Sequence, residues 1–363
     1  CEHGLELARR FAFSLELDRG LHSSVRDSVV HGSASSGFPR RKAHTLKMLR
    51  TKPLARLLGR AQFSRHASGT VGVVGLGLMG HGIAQTAAEK GFDVVAVETE
   101  QRFLDGGMKR IDDSVRKLAA KAVSKGKLTQ EQADANVAGA LGRITPTLDR
   151  GAFASCDFVV EAVIEDIGLK KPLYEDLGRI CKPDCVIASN TSSLAIGKMA
   201  AFCGKPAQMV GLHFFNPVQL MQLVEVVRTE QTSAEIFKKA MGFATDLGKT
   251  PIECIDTPGF VVNRLLVPYL IESIQLVERG VASAADVDTA MRLGAGHPMG
   301  PIQLADYIGL DTCHSIIAGW AKEYPTDPSF RVAESLAAKV AEGKLGRKSG
   351  EGFYKWDGDR LAK

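Results

Sequence analysis

The stretch TVGVVGLGLMGHGIAQTAAEKGFDVVAVE (70–98) reads as strand, glycine loop, helix and second strand, and that order decides the fold. Val71 to Val74 belong to a short apolar, β-branched run, the pattern of a strand buried on both faces. Gly75, Gly77 and Gly80 then give GxGxxG at the strand-to-helix junction. The first glycine permits the tight turn, the second lets a pyrophosphate approach the backbone, and the third packs helix against strand. Leu76, Leu78 and Met79 fill the positions between them, so 75–80 as a whole is the expected phosphate loop. Gly91 closes the helix, and Asp93 to Val97 leads to Glu98, where a carboxylate about 20 residues on can accept hydrogen bonds from a ribose diol. Its charge would repel a 2′-phosphate, which favours NAD over NADP, although Arg102 lies one helical turn on.

Farther along, GLHFFNPVQLMQLVEVV (211–227) places one histidine and one carboxylate on two neighbouring apolar strands. MVGLHFF (209–215) and LVEVV (223–227) are separated by an Asn-Pro turn signal. Leu223 and Val227 flank Glu225 on its own face, and Val224 and Val226 are apolar on the other. A carboxylate in such a strand is shielded from water and needs a partner, and His213 is the nearest one that a simple strand return delivers. A His–Glu pair makes a general base, because the carboxylate fixes the tautomer and stabilises the imidazolium. The competing reading is a core histidine bonded to backbone, with Glu225 at a sheet edge.

The rest of the chain sets these motifs in a fold. Residues 101–125 read as a long amphipathic helix with Ile111, Val115, Leu118 and Ala122 as its apolar stripe and Ser114, Leu118 and Lys121 along one edge. FVVEAV (158–163) and CVIASN (185–190) are further buried strands, separated by a helix around 168–180. Alternating strands and helices imply an α/β, Rossmann-type doubly wound parallel sheet, with ligands at the carboxyl ends of its strands. Glu165, then Asn190 to Ser193, then His213 with Asn216 fall at that end. Taken alone, NTSS (190–193) also has the composition of a helix N-terminus. After Asp256-Thr257-Pro258-Gly259 the pattern turns helical: FVVNRLLVPYLIESIQLVERG (260–280) with Pro268 expected to kink it, SAAD (283–286) as a capping box, and ADYIGLDTCHSIIAGWAKEY (305–324). We therefore divide the chain into a leader (1–69), a dinucleotide-binding domain (70–256) and an all-helical C-terminal domain (257–363) that lines the substrate cleft and buries a face in a homodimer.

Of the 363 residues, the first 69 hold 13 Lys/Arg against 5 Asp/Glu, while 70–363 hold 33 against 36. The formal net charge of +5 is therefore an excess of +8 in the leader set against −3 in the body. MLRTKPLARLLGRAQFSRHAS (48–68) is Arg-rich, Ser-containing and acid-free, which fits a mitochondrial transit peptide beginning at Met48, with 1–47 as upstream sequence; a basic tail without such a role is the alternative. The basic excess stops where the folded part begins, which argues against nucleic acid as partner. No apolar run is long enough to span a bilayer as a helix. Seven scattered cysteines, with only CxxxC at 181–185 and no nearby histidine, point to buried thiols in a reducing compartment, with neither metal nor disulfide framework.

Across 70–363 these motifs resemble the L-3-hydroxyacyl-CoA dehydrogenase family in its mitochondrial, short-chain, single-function form. The resemblance is carried by GLGLMG, VVEAV with Glu165, SNTSSL, HFFNP, LVEVV, DTPGFVVNRLL, LGAGHPMGP and GRKSGEGFY. It implies that His213 is the general base, Glu225 its orienting partner, and Ser192 and Asn263 donors to the reacting oxygen. It implies that Glu98, Glu165, Lys170, Ser192, Asn216 and Lys348 contact NAD, and that Ser114, Lys121 and Ser192 contact the CoA substrate. The implied reaction is oxidation of an L-3-hydroxyacyl-CoA to its 3-oxoacyl-CoA, a step of fatty-acid β-oxidation in the mitochondrial matrix. Glu98 stands where relatives often have Asp. GLGLMG is similar also to the small β-hydroxyacid dehydrogenases, which rely on a lysine and lack HFFNP with the later Glu. A non-catalytic NAD- or CoA-binding scaffold is the reading from another class.

Overall fold

The computed structural model of the chain describes residues 69–362, so the leader readings for 1–47 and 48–68 lie outside the described residues. Its first half alternates β1 (Thr70–Val74), α1 (Gly80–Glu89), β2 (Asp93–Val97), α2 (Gln101–Ser124), α3 (Gln130–Gly142), β3 (Ile144–Thr147) and β4 (Phe158–Glu161). There follow α4 (Ile167–Ile180), β5 (Val186–Ser189), α5 (Ile196–Cys203), β6 (Met209–Phe214), β7 (Leu223–Arg228), α6 (Ala234–Asp246) and β8 (Thr250–Ile255). One eight-stranded sheet results, in the order β3-β2-β1-β4-β5-β6-β7-β8. Order reverses between β1 and β4, the switch point at which such sheets bind dinucleotides.

The first six strands are parallel, as expected, but β7 runs antiparallel to β6 and β8 runs parallel to β7. The connection 215–222 is shorter than the dozen or so residues a parallel crossover needs, so β7 must return directly. Val71 and Val73 are fully buried in the centre of the sheet, where a side chain on Gly72 would meet the Phe153 ring at 2.6 Å. One apolar cluster fills the face carrying α1, α2 and α6, and a second fills the face carrying α4 and α5.

A third core is built by α7 (Val262–Glu278), α8 (Ala284–Gly294), α9 (Pro301–Ile308), α10 (Leu310–Glu323) and α11 (Glu334–Ala341). Helix α7 continues through Pro268. The segment 305–324 is two helices rather than one, because Gly309 at φ 110° breaks the run. Ser283 caps α8 by accepting the Asp286 amide, but its hydroxyl donates to Asp286 Oδ2 at 2.6 Å, so only half of a capping box forms. A two-stranded hairpin, β9 (Trp356–Asp357) and β10 (Arg360–Leu361), adds strand to a part read as wholly helical. Asp306 fastens that C-terminal segment, accepting from the amides of Phe353 and Tyr354 and the Trp356 indole at 2.8 to 2.9 Å.

Candidate active site

The glycine loop is shaped by what its glycines lack. A Cβ on Gly80 would lie 1.7 Å from the Gly75 carbonyl oxygen, and one on Gly75, at φ 90°, would lie 2.8 Å from the carbonyl oxygen of Ala162. Both positions are closed to side chains by the fold itself. Gly77 differs, since a Cβ there would meet nothing within 4 Å. Its hydrogen faces open space at the start of α1, where backbone amides favour an anion. This cradle, which any side chain would fill, fits a pyrophosphate. Leu76 is fully buried against Gly107 of α2, while Leu78 is exposed. Glu98, at the end of β2, accepts the Leu76 amide at 2.5 Å and so lies beside the loop.

His213 and Glu225 are register partners across β6 and β7. His213 Nδ1 lies 2.6 Å from Glu225 Oε2, with His213 6 % exposed and Glu225 fully buried. The other oxygen of Glu225 accepts from the amides of Val261 at 3.1 Å and Val262 at 2.8 Å. The carboxylate therefore meets the positive N-terminal end of α7, which compensates the cost of burying its charge. An acceptor-only carboxylate at Nδ1 requires the Nδ1–H tautomer, leaving Nε2 with a lone pair for a ligand. Phe215 and Phe260 flank the imidazole, with ring centroids 4.6 and 5.6 Å away. Phe260 holds a left-handed φ of 53° directly after Gly259 at φ 75°, a tight turn that delivers the two donor amides.

A cavity of about 470 Å³ gathers these parts. Gly77, Leu78 and Met79 line one side, Glu165, Asn190 and Ser192 another, and His213, Asn216 and Asn263 the rest. Carboxyl ends of β1, β4, β5 and β6 thus converge as the sequence led us to expect, and α7 contributes Asn263. The segment 190–193 is not a helix start, however. Helix α5 begins at Ile196, while the Thr191 hydroxyl accepts the amides of Ser193 and Leu194 in a local turn. Glu165 holds this turn, accepting from the Ser192 amide at 2.8 Å and the Thr191 hydroxyl at 3.0 Å. Asn190 Oδ1 accepts the Phe214 amide at 2.9 Å and so ties the end of β5 to the residue after His213.

Lys170 does not line the cavity. It is 1 % exposed and bonds Glu161 at 2.8 and 2.9 Å and Glu165 at 3.2 Å, bracing Glu165 from beneath. Glu161, which sequence reasoning passed over, also accepts from Tyr174 and Ser189 at 2.7 Å. A glutamate inside a strand followed nine residues later by a lysine on the next helix was its available signal. Lys249, likewise missed, is buried and donates to the carbonyls of Val218 and Met221, fixing the connection after β6. Lys348 is not brought to the cavity; it is exposed and paired with Asp311 of α10. Ser114 and Lys121 share a face of α2, Ser114 half-buried and Lys121 exposed, outside the cavity lining.

The chain matches the model of the 3-hydroxyacyl-CoA dehydrogenase NAD-binding domain over residues 70–257 and that of the 3-hydroxyacyl-CoA dehydrogenase C-terminal domain over 259–356. It is 50 % identical over 285 residues to a probable 3-hydroxybutyryl-CoA dehydrogenase of Deinococcus radiodurans, covering 78 % of this chain and 99 % of that one. It is 46 % identical over 287 residues to the human mitochondrial hydroxyacyl-coenzyme A dehydrogenase, covering 79 % of this chain and 90 % of the relative. Among solved structures, the (S)-3-hydroxybutyryl-CoA dehydrogenase PaaH1 of Ralstonia eutropha is similar at a TM-score of 0.75 and 38 % identity, over 80 % of this chain and all of that one. This chain belongs to the 3-hydroxyacyl-CoA dehydrogenase family.

Proposed function

We propose that this protein oxidises an L-3-hydroxyacyl-CoA to the 3-oxoacyl-CoA with NAD, as a step of fatty-acid β-oxidation. The observation that carries the reading is a buried His213–Glu225 pair opening into the same cavity as the glycine loop, in a chain of this family. Gly75 to Gly80, Glu98, Glu165, Ser192 and Asn216 would hold NAD, whose nicotinamide supplies the hydride acceptor. His213 Nε2 takes the hydroxyl proton, and Glu225 stabilises the imidazolium that forms. Ser192 and Asn263 aim hydrogen bonds at the oxygen whose charge changes. In the reverse direction the imidazolium returns the proton to the ketone oxygen.

Residues 70–256 serve as the NAD-binding domain and 257–363 as the part that covers the acyl chain and dimerises. The homodimer rests on the apolar composition of the helical part read from the sequence. Ser114 and Lys121 on α2 serve the CoA portion, a cation suiting its phosphates. Lys170 acts on the NAD site by bracing Glu165. Residence in the mitochondrial matrix is supported by the name of the human relative and by the acid-free, Arg-rich stretch 48–68.

The test is NADH oxidation by the full chain with acetoacetyl-CoA and, in parallel, free acetoacetate. Turnover with the thioester alone is expected. Turnover of the free acid at a similar kcat/KM would make the protein a small β-hydroxyacid dehydrogenase. Absence of turnover with either, despite NADH binding, would make it a scaffold.

A further inference from the structure

We propose that Gln219 is a positioning residue that aims the Ser114 hydroxyl at the CoA portion of the substrate: its amide nitrogen donates both to Gln85, which in turn donates to Glu89, and to Ser114. The inference rests on Ser114 being a substrate contact. Gln85 is fully buried on α1, and its Nε2 donates to Glu89 Oε1 at 2.8 Å. A carboxylate offers only acceptors, so chemistry decides which end of Gln85 faces it. The Gln85 carbonyl oxygen must then point the other way, where it accepts from Gln219 Nε2 at 2.8 Å. A carboxamide nitrogen carries a second hydrogen. That hydrogen points to Ser114 Oγ on α2, at 3.4 Å.

Ser114 is thereby used as an acceptor from the protein side, and its own hydroxyl hydrogen is left to donate outward. An outward donor suits an acceptor on the ligand, a phosphate or amide oxygen of CoA. Turning the Gln219 amide over, so that its oxygen faced Ser114, would draw that hydrogen inward and present a lone pair to the same ligand group, which repels it.

Gln219 can impose this direction because its own backbone is fixed. Lys249 Nζ donates to the carbonyls on either side, of Val218 and of Met221. The amides of Leu220 and Met221 both donate to the Pro217 carbonyl at 3.0 Å. On α1, a side chain on Gly82 would come within 2.9 Å of Val218 Cβ and 3.2 Å of Gln219 Nε2, so helix and loop pack directly. The connection leaving His213 therefore has two jobs. Asn216 lines the cavity, and Gln219, three residues on, holds the Ser114 hydroxyl on α2.

The test compares Gln219→Met, which deletes the donor, and Gln219→Glu, which accepts from Ser114 and turns its hydrogen inward. Both are assayed in the full chain with and without Ser114→Ala. We expect Gln219→Met to raise KM for acetoacetyl-CoA about fivefold and Gln219→Glu about tenfold or more, the scale of one misdirected hydrogen bond. In both, kcat stays within about twofold and NADH affinity is unchanged, a split that general loss of structure would not give. In the Ser114→Ala background Gln219→Met should add almost nothing, because its effect passes through the absent hydroxyl. A Gln219→Met effect that multiplies fully in that background, or no effect although Ser114→Ala raises KM, would overturn the relay. If Ser114→Ala itself leaves KM unchanged while the thioester still turns over, Ser114 is not a substrate contact and the relay falls with it. The oxidoreductase assignment survives that result, so the two failures are separable.

Discussion

Replacing Glu225 by Gln tests how the buried carboxylate governs His213. Gln keeps the shape but has one acceptor end and one donor end, against three donors that now converge on Glu225. With its NH2 toward the amides of Val261 and Val262, two backbone donors lose their acceptor, at about 2 kcal/mol each. With its NH2 toward His213, the imidazole need only change tautomer, a small cost. The amide therefore turns to His213, Nδ1 becomes the acceptor, and the proton moves to Nε2 on the cavity side. That tautomer cannot take a proton from a hydroxyl. An offset of about 4 kcal/mol leaves roughly one molecule in 10³ with the productive arrangement. We expect kcat for oxidation of 3-hydroxybutyryl-CoA to fall about 10³-fold, within the 10²–10⁴-fold that general-base catalysis supplies. The assay is steady-state turnover in both directions, with NADH binding by fluorescence as the control for folding. A loss of less than about tenfold, with NADH binding intact, would refute the tautomer argument.

Other consequences follow from single residues. Gly77→Val should leave thermal stability within about 0.5 kcal/mol, because its side chain enters open space, while weakening NADH at least tenfold; Gly80→Ala should instead destabilise the fold by about 1–3 kcal/mol, since its Cβ would lie 1.7 Å from a carbonyl oxygen. Asp306→Ala strands three donors, the amides of Phe353 and Tyr354 and the Trp356 indole, and should cost about 3–5 kcal/mol in urea unfolding. Burial holds His81 below its ordinary 6.5, against the pull of the Gly77 carbonyl and with Arg110 adding to the depression. The native state thus binds fewer protons there than the unfolded chain, so this part of the stability is complete above 6.5 and is lost as pH falls through the depressed value. His81→Gln should flatten the acid-side slope of the unfolding midpoint; an unchanged slope would locate the dependence elsewhere.

Much of this was legible in the sequence because short-range patterns specified it. The glycine loop lies inside one strand-loop-helix unit, and His213 and Glu225 sit twelve residues apart across a direct return, so spacing alone brought them together. That direct return makes β7 antiparallel to β6, an exception that the alternation of strands and helices along the rest of the domain does not show by itself. NTSS is ambiguous on its own: its composition suits a helix cap, and what removes it from that role is Glu165, 27 residues earlier in sequence, taking the Ser192 amide. Long-range partners of this kind leave little local trace. The same holds for Lys170, whose side chain is drawn under Glu165 by Glu161 rather than into the cavity, and for the second Glu225 oxygen, which is satisfied by a helix of the other core. Gly309 was readable as a glycine, but only its backbone angle shows that it ends one helix and starts another.

In the proposed reaction His213 is the proton acceptor and not a packed core histidine. His213→Ala in the full chain, assayed with 3-hydroxybutyryl-CoA and titrated with NADH, tests it most directly. We expect kcat to fall about 10²–10⁴-fold with NADH affinity within about twofold of the parent. Equal losses in both would make His213 a structural residue and rule it out as the proton acceptor.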